Sequence, residues 1–329
     1  MKKVTVIIPV YGVEKYIEKC ARSVFEQTYS NLEIIFVNDC TPDNSIEILR
    51  STIEDYPAMK DKIQILSYSK NKGLAGARKF GLEKASGDYV LQIDSDDFIA
   101  INMVEYMISE AERTDADIVI CDMNLISNTG QRHIYTNPSL NPRECMAQVL
   151  MSIVHGSVAN KMIRKSLYVQ NDIWPVQGLD MREDLSVIYR LLYFSKKLAY
   201  LPNPFYNYIL REGSISADRM SEKQQKNAQD LIEQMILFYS KEHIKEANLL
   251  VALSFFKAYI KSEILLHGSL ALIRNELFTG VHLSHYLRHP HLLLAPRVMG
   301  IIDSLNIKPL LLLVRSMVDF LLPIKRKFF

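Results

Sequence analysis

The sequence contains little cysteine and no cysteine motif. Its four cysteines stand far apart without a C-x-x-C pair, which argues against a zinc knuckle or a redox motif. A reduced, cytosolic chain is therefore expected. Long apolar runs are also missing, because none approaches the ~18–20 residues that cross a bilayer. The first apolar run is broken by Pro9 and Gly12 and is too short for a signal peptide, so we expect neither secretion nor a membrane span.

Two common ways of binding polyanions are absent as well. Acidic and basic residues nearly balance, at 37 and 39, so we predict no nucleic-acid partner. Gly73, Gly76 and Gly81 do not form G-x-G-x-x-G, and no G-x-x-x-x-G-K occurs. A bound pyrophosphate would therefore need another counter-charge, and a divalent cation held by carboxylates would supply it.

What the sequence does contain is an alternation of apolar strands and amphipathic helices. The strand-like runs are VTVIIPVY (4–11), LEIIFVND (32–39), IQILSY (63–68), YVLQID (89–94) and DIVICD (117–122). Helical patterns lie between them. This alternation predicts an α/β fold whose mostly parallel sheet has helices on both faces. Ligands of such sheets collect beyond the carboxyl ends of the strands.

The strongest chemical signal is a group of carboxylates directly after the fourth predicted strand. Asp94, Asp96 and Asp97 fall within four positions, where like charges repel unless a cation lies among them. Oxygen ligands of this kind suit Mg²⁺ or Mn²⁺, with water and substrate phosphates completing the shell. Helix capping by Asp94 or Asp97 is the alternative, but it accounts for only one carboxylate. We therefore predict a metal site formed by these three residues.

Three segments together resemble family 2 glycosyltransferases with the A-type glycosyltransferase fold, of the bacterial surface-polysaccharide type. They are VTVIIPVYGVEKYIEKCARSVFEQTYSNLEIIFVNDCTPDNS, NKGLAGARKFGLEKASGDYVLQIDSDD and REDLSVIYRLLYF. The resemblance is strong to about residue 125 and moderate to about residue 216. It implies a catalytic domain at 1–218, with a nucleotide-sugar-binding half (1–125) and an acceptor-binding half (126–218). A helical C-terminal region follows at 219–329.

The resemblance also implies roles for individual residues. Asp39 would hydrogen-bond the uracil-like edge of the base, although a turn-initiating Asx residue is the alternative. Asn38 stands where many relatives have a second Asp. Lys72 and Arg78 would border the nucleotide, and Arg211 would reach the diphosphate. A solvated helix face for Lys72 and a solvated polar loop for Arg211 are the alternatives. The full nucleotide-sugar set is Pro9, Val10, Tyr11, Asp39, Lys72, Arg78, Asp94, Ser95 and Arg211.

For the chemistry, the resemblance implies that Asp184 is the general base and that Glu183 orients a neighbour or the acceptor. Two acids in a first helical turn also suit the helix dipole without any catalysis. Trp174 and Ser214 are the expected acceptor contacts, although a single tryptophan is as often a core filler. Attack by a base-activated hydroxyl on the anomeric carbon would invert its configuration.

The tail after about residue 296 combines leucine-rich faces with spaced cations and ends in KRKFF. Such a segment is typical of a helix that lies on an anionic membrane, while packing on the chain's own surface or in a homodimer is the alternative. We therefore expect a cytoplasmic enzyme at the inner face of the cell membrane, transferring sugar from a UDP-sugar to a glycan or lipid-linked acceptor. The alternatives are a nucleotidyltransferase and an inactive nucleotide-sugar-binding scaffold.

Overall fold

The computed structural model describes residues 1–179, 182–210 and 220–316. Its centre is a nine-stranded sheet with the order β3-β2-β1-β4-β8-β6-β9-β5, in which β7 pairs with β6. The strands are β1 (Val4–Val10), β2 (Leu32–Asn38), β3 (Ile63–Ser67), β4 (Tyr89–Gln92), β5 (Phe98–Ile99), β6 (Ile118–Ser127), β7 (Gly130–Ile134), β8 (Lys161–Arg164) and β9 (Leu198–Ile209).

Helices connect and flank these strands. They are α1 (Ile17–Phe25), α2 (Ser45–Glu54), α3 (Gly73–Lys84), α4 (Met103–Thr114), α5 (Pro142–Leu150), α6 (Lys165–Gln170), α7 (Glu183–Phe194), α8 (Glu222–Lys241), α9 (Ala247–His267), α10 (Leu283–Arg288) and α11 (Leu294–Ser304). Short 3-10 helices lie at Pro57–Lys62, Leu270–Leu272 and Asn275–Phe278.

The sheet is mixed, with a parallel part where the alternation predicts it and antiparallel pairings that involve β5, β7 and β8. Strands β1 to β4 pair in parallel, β6 and β9 also pair in parallel, and β8 runs antiparallel between β4 and β6. The chain moves outward from β1 to β2 and β3, then returns to place β4 on the other side of β1. Strand order therefore reverses between β1 and β4, and a crevice for ligands is expected at their carboxyl ends.

Both faces of the sheet are covered. Every residue of β1 is buried, and alternate side chains such as Val6 and Ile8 share a core cluster with α1. Ile7 points to the opposite face, where a Cβ on Gly81 of α3 would stand only 2.4 Å from its Cγ2 atom. Strands buried on both faces need largely apolar runs, which is why β1 and β2 consist mostly of apolar residues, and their buried Thr5 and Glu33 are hydrogen-bonded to each other. The predicted α/β fold class is confirmed.

The chain forms two compact units, which are the described residues of Met1–Met146 with Val154–Ser214 and of Ala147–Ile153 with Ile215–Phe329. The second contains α8 to α11, and α8 begins with a capping box between Ser221 and Gln224. None of its described helices, or those of the first unit, is long and apolar enough to span a bilayer. The domain boundary near residue 218 stays a prediction.

Candidate active site

The three carboxylates after β4, those of Asp94, Asp96 and Asp97, differ in burial. Asp97 is 1% exposed, and both of its oxygens accept hydrogen bonds, from the Tyr206 hydroxyl at 2.6 Å and the Ile209 amide at 2.8 Å. Burial, together with the charges of Asp96 and Asp94, raises the pKa of Asp97 to about 8. Asp94 and Asp96 are only partly buried. Asp97 therefore ties this turn to β9, while Asp94 and Asp96 are more accessible to solvent.

Arg78 of α3 lies at the centre of the site, with its side chain 3% exposed. Its Nη2 donates to Asp94 Oδ1 at 2.7 Å, and its Nη1 donates to Glu183 Oε1 at 2.8 Å and to Asp184 Oδ1. One guanidinium thus joins the carboxyl end of β4 to the first turn of α7. A buried arginine is tolerated only when it is paired in this way. The resulting cluster of one arginine and three carboxylates is called the Arg78 cluster below.

The acidic pair stands at the start of α7, as expected. Arg182, the residue before the helix, has a left-handed backbone with φ of 62°. Asp184 Oδ2 accepts from the Ser157 hydroxyl at 3.1 Å and from the Val158 amide at 3.2 Å. Burial and the adjacent charge of Asp184 raise the pKa of Glu183, against the opposing influence of Arg78. The Asp184 carboxylate is held in one orientation by donors on both oxygens.

The predicted nucleotide side lies at the ends of β1 and β2. Pro9 and Val10 complete β1, and the Tyr11 side chain beyond them is 53% exposed. Asp39 is 3% exposed and accepts the Lys72 amide through Oδ1 at 2.6 Å, at the start of α3. Burial raises the pKa of Asp39, although the hydrogen bond from the Lys72 amide opposes this shift. Asp39 thus holds the NKG segment against β2, and hydrogen bonding to a base stays a prediction.

The remaining predicted residues do not pair with Arg78 in the described residues, or they lie outside those residues. Trp174 is partly buried, and its indole N–H donates to Asp172 at 2.7 Å. Ser95 is buried between Asp94 and Asp96. Arg211 and Ser214 lie outside the described residues. No sequence motif marks Ser157, Val158 or Tyr206, because their partners are 26 to 112 residues away in the chain.

In residues 1–179, 182–210 and 220–316, no group of three or more His, Cys, Asp and Glu side chains is arranged to hold a metal ion. A Mg²⁺ or Mn²⁺ site that is completed by substrate phosphates uses only one or two carboxylates. Asp94 and Asp96 fit that description, because they are hard oxygen donors on a partly exposed turn. Asp97 fits it less well, since both of its oxygens already accept hydrogen bonds.

Comparison with known proteins identifies the family. The family model for glycosyl transferase family 2 matches residues 5–170, just over half of the chain. The chain therefore belongs to glycosyl transferase family 2, as the sequence resemblance implies. GlyA, a glycosyltransferase of Streptococcus pneumoniae, is 32% identical over 228 residues, which are 65% of this chain but only 31% of GlyA. The chain thus spans about a third of that relative's length.

Solved structures agree with the fold. Staphylococcus aureus TarS 1-349, in complex with UDP-GlcNAc, is similar with a TM-score of 0.67 at 20% identity, covering 95% of this chain and 87% of TarS 1-349. PcManGT, a mannosyltransferase of Pyrobaculum calidifontis in complex with GDP-Man and Mn²⁺, has a TM-score of 0.56 at 16% identity, covering 97% of this chain and 87% of PcManGT. At these identities the likeness supports the fold alone.

Proposed function

We propose that this chain is a metal-dependent, inverting glycosyltransferase that uses a nucleotide-sugar donor, most simply a UDP-sugar. The observation that carries the proposal is the Arg78 cluster, in which a carboxylate of the predicted donor site and the predicted base are held by one buried guanidinium. Family membership and the UDP-GlcNAc bound by TarS support a nucleotide-sugar donor. The acceptor is proposed to be a glycan or lipid-linked oligosaccharide of surface polysaccharide synthesis.

Asp94 and Asp96 are the proposed ligands of the divalent cation. Asp97 stabilises their turn by accepting hydrogen bonds from Tyr206 and Ile209. The Mn²⁺ in PcManGT supports the choice of Mn²⁺ or Mg²⁺. When bound, the cation would supply positive charge to the departing diphosphate, for which the sequence offers no G-x-G-x-x-G or G-x-x-x-x-G-K loop. Arg78 holds Asp94 Oδ1 at 2.7 Å and so fixes which way that carboxylate faces.

Asp184 is the proposed general base. A carboxylate oxygen accepts about two hydrogen bonds. In the described residues Oδ2 receives two, from Ser157 and Val158, whereas Oδ1 receives one, from Arg78. Oδ1 is therefore the proposed proton acceptor for the acceptor hydroxyl, whose oxygen attacks the anomeric carbon as the bond to the diphosphate breaks. Attack opposite the leaving group inverts the configuration.

Membrane contact and a cytoplasmic location are proposed on the character of the last described helices. Leu293 and Leu294 at the start of α11 are 75% and 78% exposed, and Lys308 beyond the helix is exposed too. Exposed apolar side chains in a segment that also carries an exposed cation suit the headgroup region of an anionic leaflet. The basic end of the tail, KRKFF, lies outside the described residues. A homodimer that uses the same surface is the alternative.

A panel of nucleotide sugars with Mn²⁺ tests the proposal, with release of nucleoside diphosphate as the readout. We expect Asp96→Ala to lose donor binding, and Asp184→Asn to bind donor but turn it over about 10²–10⁴-fold more slowly, the usual contribution of a general base. Asp61→Asn, at an exposed carboxylate of a 3-10 helix, is the matched control and should behave as wild type. Turnover that survives EDTA would exclude the metal role, and unchanged turnover in Asp184→Asn would exclude the base.

The alternatives are separated by extending the panel to nucleoside triphosphates with sugar phosphates and by measuring UDP binding. A nucleotidyltransferase would release pyrophosphate from a nucleoside triphosphate and a sugar phosphate. An inactive scaffold would bind UDP in calorimetry but release no nucleoside diphosphate from any donor.

A further inference from the structure

Lys161, the first residue of β8, has no role in the site as described so far. Its side chain is 1% exposed, which is rare for a lysine. In the described residues no carboxylate lies within 4.0 Å of its ammonium group. A charge buried without a paired counter-ion is costly unless its hydrogen bonds are satisfied.

Three oxygen atoms satisfy it. Lys161 Nζ donates to the His155 carbonyl at 2.9 Å, to the Ser157 carbonyl at 2.6 Å and to the Asn160 side-chain oxygen at 2.7 Å. An ammonium group has three N–H donors, so donors and acceptors match one to one. Asn160, in turn, donates to the Cys121 carbonyl of β6 at 2.7 Å. The segment between α5 and β8 is thus wrapped around a single buried charge that is anchored to the sheet.

The same segment carries the two donors on Asp184 Oδ2. They are the Ser157 hydroxyl at 3.1 Å and the Val158 amide at 3.2 Å. The Ser157 backbone therefore accepts from Lys161 while its hydroxyl donates to Asp184. Because the segment is a loop, its position depends on the hydrogen bonds that tie it down.

We propose that Lys161 is a positioning residue, which sets the orientation of the Asp184 carboxylate by fixing the loop at residues 155–158. The inference rests on the proposed role of Asp184 as general base. Lys161 does not touch the proposed substrates. It acts through Ser157 and Val158, which hold Oδ2 and leave Oδ1 directed at the acceptor hydroxyl.

The charged form of Lys161, with three N–H donors, matches the three oxygen acceptors around its Nζ atom. Burial lowers the pKa of Lys161 to about 8, against the opposing influence of Cys145, Asp184 and Cys121. Burial also raises the pKa of Cys121 to about 12 and of Cys145 to about 11, so both remain thiols where Lys161 titrates. The His155 imidazole is the other titratable neighbour. A neutral amine would have two donors for three acceptors, so the loop should loosen as pH rises through this range.

The test compares Lys161→Met with Lys165→Met in the full chain. Lys165 is the matched control, because it also donates to a backbone carbonyl, that of Ala85, but it does not hold the loop at 155–158. Hydrogen exchange of peptides covering residues 154–160 measures how firmly the loop is held, independently of enzymatic activity. Steady-state kinetics with the donor found in the panel report kcat and KM, and calorimetry with UDP and Mn²⁺ reports binding.

We expect Lys161→Met to speed exchange at the Val158 amide and to lower kcat by about 10²-fold, the effect of a misplacement of about 1 Å. KM for the donor and the affinity for UDP should change less than about 2-fold, since the donor side is untouched. Lys165→Met should match wild type in every measurement. Two results in Lys161→Met would overturn the inference: an unchanged hydrogen-exchange rate at residues 154–160, or a loss of activity that comes from a raised KM rather than a lowered kcat.

Two further measurements keep the test decisive if Lys161→Met fails to fold. Ser157→Ala removes one donor to Asp184 without removing a buried charge, and it should lower kcat while leaving KM unchanged. The wild-type kcat should also fall with a midpoint near the titration of Lys161 at about pH 8. A wild-type kcat that stays flat to pH 9.5, or a normal kcat in Ser157→Ala, would overturn the proposal. If wild type turns over no donor, the proposed function fails and hydrogen exchange alone decides whether Lys161 holds Asp184.

Discussion

Replacing Arg78 by methionine is the sharpest perturbation of the site. Methionine keeps a long unbranched side chain but removes the guanidinium that pairs with Asp94, Glu183 and Asp184. The three carboxylates would then face one another in a partly buried space, with side-chain exposures of 27%, 12% and 17%. Breaking a buried ion pair by removing one partner costs about 3–5 kcal/mol. Because these carboxylates keep some contact with water, we expect a loss near the lower end, about 3 kcal/mol of unfolding free energy at pH 7.

The cost should depend on pH in a stated direction. Burial and the charge of Asp184 raise the pKa of Glu183 in the folded state, and without the opposing influence of Arg78 it should lie further above the unfolded value of about 4.3. A folded state that binds more protons than the unfolded state gains stability as pH falls. The difference in unfolding free energy between Arg78→Met and wild type should therefore shrink from pH 8 to pH 5.

Urea unfolding at pH 5, 6, 7 and 8 measures this difference directly. Arg113→Met is the control, because Arg113 is an exposed arginine that pairs with Glu110 of its own helix, and it should leave the midpoint unchanged at every pH. Adding Glu183→Gln to Arg78→Met should recover part of the lost stability, since it removes one of the repelling charges. A loss that is independent of pH, or no recovery in the double variant, would refute the electrostatic account of the Arg78 cluster.

Two further predictions concern the sheet. Gly81→Ala would place a methyl group 2.4 Å from Ile7 Cγ2, so we expect a loss of about 1–3 kcal/mol by overpacking, and an unchanged urea midpoint would contradict it. Burial alone would raise the pKa of Glu33, but hydrogen bonds from Ser86 and Thr5 outweigh burial and lower that pKa. The stability that Glu33 contributes is therefore present above its unfolded pKa of about 4.3 and is lost as pH falls through its folded pKa. Glu33→Gln should therefore cost about 1–3 kcal/mol at pH 7 and much less at pH 3.5 in urea unfolding, whereas equal costs at both pH values would contradict the hydrogen-bonding account.

Much of the fold was readable from the chain. Apolar runs such as residues 4–11 and 32–39 are long enough to identify strands buried on both faces, and the helical periodicity between them implies parallel crossovers. The carboxylates at 94–97 and the acidic pair at 183–184 were readable for a similar reason, since each lies next to an element whose type is set by local pattern. Local pattern depends on residues a few positions apart, so the sequence alone determined these features.

Tertiary structure decided what each polar side chain touches. Arg78 and Asp184 are 106 residues apart and meet because α3 contacts α7, a contact that local pattern does not specify. Packing of distant elements also brings the Tyr206 hydroxyl to Asp97 and buries Lys161, whose ammonium donates to the Ser157 carbonyl. A buried charge must find partners wherever the chain brings donors and acceptors together. The sequence thus determined which elements form and where the acids lie along it, while the packing of distant elements decided which charges are paired.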